Sequence, residues 1–245
     1  MKKKWRLLLV TIMFFILLIP IITSIKLPKD KKIITTNYSE LTDIMKIDYS
    51  KEIDAYKEEY HNDEVVAILN ILNTDYHRPV MQHSDNDYYL NHLEDKTSSY
   101  MGALFADFRV DINNSKKILI YGHNSKYIDM PFKILENYYD IDYFKSHQYI
   151  ELITSKEKKL YQIFSVYVEP TDYSYMKVDF DSTDDWLEHL KKLKQKSMYD
   201  TGNEIKEDDE ILILQTCSTH DDYKHYKNKY LLIILRRIKN EEKIY

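Results

Sequence analysis

A chain of 245 residues that is 44% hydrophobic has apolar material for one substantial core with appendages rather than for several domains. Its net charge of −5 comes from acidic and basic residues interspersed along the sequence, which argues against the clustered basic surface that nucleic-acid binding needs. With three glycines and no G-x-G-x-x-G or G-x-x-x-x-G-K run, it lacks the glycine-rich phosphate cradles of nucleotide-binding enzymes.

The opening "MKKKWR" leads into an apolar run over 7–25, interrupted only by Thr11, Pro20, Thr23 and Ser24. This is about the length of a membrane span, and no A-x-A-like cleavage site follows it. Residues 1–26 therefore read as a retained signal anchor, predicting a single-pass protein of the cell membrane. Lysine and arginine are nearly balanced on the two flanks, and the short N-terminal flank favours a cytoplasmic N-terminus with the bulk of the chain outside. Residues 27–37 read as a charged stalk. In 38–63, Leu41, Ile44, Met45, Ile53, Tyr56 and Tyr60 recur near helical spacing and predict one or two helices.

Strands are predicted at 65–72, 78–82, 102–108, 117–121, 149–154, 160–168, 211–216 and 230–238, each rich in β-branched, leucine or aromatic residues. Helices are predicted near 130–139 and over 184–196, where Trp186, Leu187, Leu190 and Leu193 share a face. Eight strands within 64–245 suggest a barrel or a sandwich.

Two strand ends carry chemistry. "ILIYGHNSK" puts His123 just past an apolar strand, and "ILILQTC" puts Cys217, the lone cysteine, at the end of another. A lone cysteine cannot form an internal disulfide. It is either a small buried hydrophobe or a nucleophile, and an imidazole on the same rim would supply charge or move a proton for acyl transfer. His220 and His225 are rival bases in the polar loop after Cys217. No metal-ligand cluster is visible in the sequence, and no cofactor is expected.

The ordered words "PVMQHSDNDYYL", "GALFADFR", "ILIYGHNS", "YQIFSVY" and "LILQTC" resemble the class B sortases, membrane-anchored cysteine transpeptidases of Gram-positive cell surfaces. The resemblance spans 64–238. It implies an eight-stranded barrel with N-terminal helices and a helix before the cysteine strand, to which 184–196 is similar. It further implies that Cys217 attacks the threonine carbonyl of a C-terminal sorting signal of Asn-Pro-x-Thr or Ser-Pro-x-Thr type. An amine of the cell-wall precursor would then resolve the thioester and join the surface protein to peptidoglycan. His123 would be the general acid, with Gln215, Thr216 and Asn124 against the substrate. Asp107 and Arg109 match the family as structural supports.

The family's third residue is an arginine near the start of the last strand, and here the loop "STHDDYKHYKNK" holds none. Lys229 stands where it is expected. Arg236 lies seven residues further on, about 23 Å along an extended strand and on the opposite face, and Arg237 is more distant still. Either Lys229 substitutes, without the bidentate fork of a guanidinium, or the chain is a weakened or inactive sortase-like domain that binds sorting signals.

Overall fold

Strand pairing, rather than helix packing, organises the chain. The computed structural model describes residues 48–239. Its strands are β1 (Val65–Ile71), β2 (His77–Met81), β3 (Phe105–Ala106), β4 (Lys117–Tyr121), β5 (Tyr149–Thr154), β6 (Lys158–Glu169), β7 (Ile211–Cys217) and β8 (Tyr230–Arg237). They close into a barrel in the order β1-β2-β3-β4-β7-β8-β6-β5. β2 with β3 and β4 with β7 are parallel, and the remaining pairs are antiparallel. The eight-stranded barrel is therefore the correct one of the two architectures the strand count left open.

Both faces of the sheet are covered. One apolar cluster takes residues from all eight strands, among them Leu69, Val80, Ile120, Leu152, Leu214 and Ile233, and fills the barrel. The second takes the opposite set, including Leu119, Ile213 and Ile234, together with Ile53 of helix α1 (Ser50–Tyr60) and Trp186, Leu190 and Leu193 of helix α3 (Thr183–Gln195). A strand buried on both faces has no reason to alternate. Accordingly 211–214 of β7 and 231–235 of β8 are buried at every position.

The helices depart from expectation in instructive ways. In α3, His189 and not Leu187 joins the buried face, giving the i, i+3, i+4, i+7 stripe Trp186, His189, Leu190, Leu193. The Ser182 hydroxyl caps this helix by accepting from Asp185 N at 3.1 Å. The helix expected at 130–139 is a 3₁₀ helix, Lys133–Tyr139, followed by a short helix α2 (Ile141–Ser146) that sequence periodicity did not reveal. Asp140 starts α2 by accepting from the backbone of Asp142 and Tyr143, both at 2.8 Å. The strand expected over 102–108 shrinks to two residues. Gly102 turns the chain at φ +62° before it, and Asp107 accepts from Val110 N in a tight turn after it.

The expected single-pass membrane placement is corrected. No helix among the described residues is long and apolar enough to cross a membrane. The apolar run at 7–25 on which the anchor reading stood, the stalk at 27–37 and the first part of the predicted helical segment lie outside the described residues.

One buried polar cluster fastens α3 to the barrel. Lys117, at the start of β4, donates from Nζ to the carbonyls of Tyr175 and Lys177 at 2.6 and 2.7 Å and to His189 Nε2 at 2.8 Å. Accepting from Lys117 requires an unprotonated Nε2, so His189 is neutral. Burial, and then the Lys117 charge, push its pKa down to about 3, from an ordinary value of about 6.5. The unfolded chain binds a proton here that the folded chain refuses. This contribution is therefore fully present above pH 6.5 and is lost as pH falls toward 3. The melting temperature should drop between pH 7 and pH 4, and His189→Gln, which keeps an acceptor for Lys117 but cannot titrate, should drop less. Parallel melting curves for the two proteins across that range would remove His189 as a cause if they fell together.

Candidate active site

The parallel pairing of β4 and β7 sets Tyr121 beside Gln215. Both chains therefore leave the barrel on the same rim, with His123 two residues beyond one partner and Cys217 two beyond the other. Side chains alternate with a period of two, so both residues share a face. Three hydrogen bonds stitch the exits together. Gly122 N donates to Gln215 O at 3.2 Å, the Thr216 hydroxyl to Gly122 O at 2.8 Å, and Asn124 Nδ2 to Cys217 O at 2.9 Å. Gly122 has no room for a side chain, since a Cβ would lie 2.5 Å from Leu104 Cδ2 and 2.7 Å from Phe132 Cδ2. His123 and Cys217 line one cleft of about 400 Å³, together with Phe105, Tyr121, Gln215 and Tyr230.

The imidazole is oriented from the opposite wall. His123 Nε2 lies 2.9 Å from the Leu90 carbonyl. A carbonyl can only accept, so Nε2 carries the hydrogen, and Nδ1 is the atom through which the ring takes or gives a proton. The adjoining Tyr89 holds Leu90 in place: its hydroxyl donates to Glu64 Oε2 at 2.6 Å and accepts from Asn62 Nδ2 at 2.8 Å. Gly102, in the left-handed region, lets the returning chain press against this wall, because a Cβ there would sit 2.5 Å from Tyr89 O and 3.0 Å from the His123 ring.

The 3₁₀ segment reaches both strand exits. Phe132 N donates to His123 O at 2.9 Å, and Lys133 Nζ donates to Ser125 O at 3.1 Å. On the cysteine side, Glu136 Oε1 accepts from Thr219 N at 2.7 Å, and Tyr139 and Ser218 share a hydroxyl hydrogen bond of 2.7 Å.

Cys217 is exposed to the cleft. Neighbouring protein still strips enough water from its sulfur to raise the thiol pKa, an effect that the Lys229 charge opposes. Lys229 lies just before β8, where its carbonyl accepts from Ser218 N at 2.9 Å and its Nζ donates to Tyr226 O at 3.4 Å. Its charge thus reaches the thiol, although its side chain is not part of the cleft lining. Arg236 pairs with Ile211 at the far end of β7, and Arg237 is held by Glu210 and Glu157 at 2.9 and 2.6 Å. Neither arginine lines the cleft.

The rival histidines also point elsewhere. His220 packs on Tyr139 and His225 on Tyr226. Arg109 grips Asp107 through Nε and Nη2 at 2.8 and 2.6 Å while Tyr121 donates to the same carboxylate at 2.7 Å, a supporting arrangement below the cleft. Gln215 forms part of the cleft wall, its Oε1 held by the Tyr175 hydroxyl at 2.8 Å. Sequence reasoning did not single out Leu90, which orients His123, or Tyr230, which faces Cys217 across the strands. The second was findable, because an antiparallel return pairs the last residue of β7 with the first of β8.

Known proteins share both the sequence pattern and the barrel. Residues 69–234 match the Sortase domain family. Sortase B of Listeria monocytogenes serovar 1/2a is 34% identical over 165 residues, a match spanning 66% of this chain and 66% of that protein's length. A Staphylococcus aureus sortase B-substrate complex superposes with a TM-score of 0.70 at 25% identity, covering 83% of this chain and 92% of that one. A sortase B complexed with triglycine superposes with a TM-score of 0.68 at 26% identity, covering 83% and 96%.

The thiol environment has a measurable signature. Alkylation of Cys217 by iodoacetamide should accelerate with pH around a midpoint above that of a free cysteine, because burial disfavours the thiolate. Lys229→Ala removes the opposing positive charge and should move the midpoint higher. A midpoint unchanged in that variant would show that the lysine charge does not reach the sulfur.

Proposed function

The chain belongs to the sortase family of cysteine transpeptidases, and to class B within it, and from that premise we propose that Cys217 acylates itself on a C-terminal sorting signal of Asn-Pro-x-Thr or Ser-Pro-x-Thr type. The observation that carries this reading is the β4–β7 register, which brings Cys217 and His123 into one cleft at the barrel rim. As the Cys217 sulfur adds to the threonine carbonyl its proton passes to His123 Nδ1, and the same proton then goes to the amine of the next residue as it leaves, yielding a thioester. In the second half the same nitrogen takes a proton from an incoming amine of the cell-wall precursor, and attack on the thioester releases Cys217. The structures of a sortase B with substrate and of a sortase B with triglycine support a peptide donor and an amine acceptor of this kind. Gln215 and the adjoining Thr216 form the wall beside the scissile bond, and Asn124 acts by fixing the Cys217 carbonyl. Lys229 supplies, in part, the positive charge of the family arginine.

A weakened or inactive domain that binds sorting signals is the second reading, favoured by the placement of Arg236 and Arg237 away from the cleft. A labelled sorting peptide, with and without an added amine such as triglycine, separates the readings. Transfer product supports the transpeptidase, hydrolysed acid a hydrolase, and bound but intact peptide the inactive domain. Cys217→Ala should abolish both thioester and transfer, and His123→Ala should slow acylation by at least about a hundredfold. Turnover retained in Cys217→Ala would refute the nucleophile assignment.

A further inference from the structure

The position directly across from the nucleophile is occupied by a tyrosine. Cys217, the last residue of β7, pairs with Tyr230, the first of β8. The next couple outward, Ser218 with Lys229, carries a ladder hydrogen bond, Ser218 N to Lys229 O at 2.9 Å. In an antiparallel ladder hydrogen-bonded and non-hydrogen-bonded couples alternate, so Cys217 and Tyr230 form a non-hydrogen-bonded couple. That is the closer kind, with α-carbons about 4.5 Å apart and side chains on one face. Lys229 is one residue out of phase with this arrangement. Both Cys217 and Tyr230 line the cleft.

A phenol reaches farther from the backbone than a thiol, and both residues open onto the same cleft. Its ring is steadied by an edge contact with Tyr173, with centroids 6.0 Å apart and planes at 65°. Desolvation, then the neighbouring Cys217 and Tyr173, raise the phenol pKa, so at neutral pH the hydroxyl keeps its hydrogen as a donor.

We infer that the Tyr230 hydroxyl donates a hydrogen bond to the oxygen of the carbonyl that Cys217 attacks, and is the oxyanion donor of this chain. The inference rests on the acylation chemistry proposed above. As the sulfur–carbon bond forms, the thiol proton passes to His123 Nδ1, the carbonyl π pair moves onto oxygen, and the phenolic hydrogen bond strengthens without transfer of the phenolic proton. When the tetrahedral species collapses, that pair re-forms the carbonyl, the carbon–nitrogen bond breaks, and the departing nitrogen takes its proton from His123. Tyr230 begins and ends protonated. The family arginine combines a charge with hydrogen-bond donors, and here the two are divided between Lys229, which acts through its charge, and Tyr230, which touches the reacting atoms.

Tyr230→Phe removes only the hydroxyl and keeps the ring against Tyr173. Acylation of Cys217 by a library of fluorescent Asn-Pro-x-Thr and Ser-Pro-x-Thr peptides would be measured by mass spectrometry, alongside alkylation by iodoacetamide, which develops no oxyanion. The expected result is acylation slowed about a hundredfold at saturating peptide, the usual size of one lost oxyanion donor, with alkylation unchanged. Acylation in Tyr230→Phe within about threefold of wild type overturns the assignment of Tyr230 alone. An equal loss of alkylation also overturns it, since that pattern marks a displaced cysteine. A folded wild type that no peptide acylates overturns the sortase chemistry and this inference together.

Discussion

Five consecutive parallel pairings, Lys117 with Ile211 through Tyr121 with Gln215, hold β4 against β7. Everything at the rim inherits its position from them. A slip of one residue would reverse every side chain of β7, sending Cys217 toward the barrel interior and Leu214 out of it. Such a slip is opposed by burial on both faces, for all five residues of β4 and the first four of β7 are buried. The reactive groups need no extra machinery to find one another, because the packing that closes the barrel also sets their phase.

What could be read from the sequence follows the strength of the local signal. The strands at 65–71, 117–121 and 211–217 are apolar or β-branched apart from Asn70, Lys117 and Gln215, and their bounds were close to those observed. Strand β3 was overestimated because its ends are set by Gly102 and Asp107, whose effects depend on contacts with residues distant in sequence. Helix α2 is six residues long, too short for a periodic pattern, and its only cue is the capping Asp140. His189 was not placed on the buried face of its helix, because its partner Lys117 is 72 positions away in sequence. The two strand ends that meet at the cleft were legible as words, "GHN" and "QTC". The orienting carbonyl of Leu90 carries no side-chain signature, and no single sequence displays it. Lys229 was chosen for its positive charge and its place at the start of the last strand. The register brings a different residue, Tyr230, face to face with the cysteine.

The cleft places a solvent-accessible thiol in surroundings that disfavour its ionisation. Reactivity toward stray electrophiles follows the thiolate fraction, so an exposed lone cysteine of this kind is comparatively inert between encounters. Lys229, whose charge reaches the sulfur from outside the lining, adds a bias that is present whether or not the cleft is occupied.

The bonds from the 3₁₀ segment to both strand exits give the rim a mechanical property. Phe132 and Lys133 hold the His123 side, while Glu136 and Tyr139 hold the Cys217 side, all within a single turn-rich stretch of eight residues, 132–139. A force applied to either exit is transmitted to the other through that stretch, as through a crossbar joining two posts. The two exits are therefore braced against each other, so that a displacement of one carries the other with it.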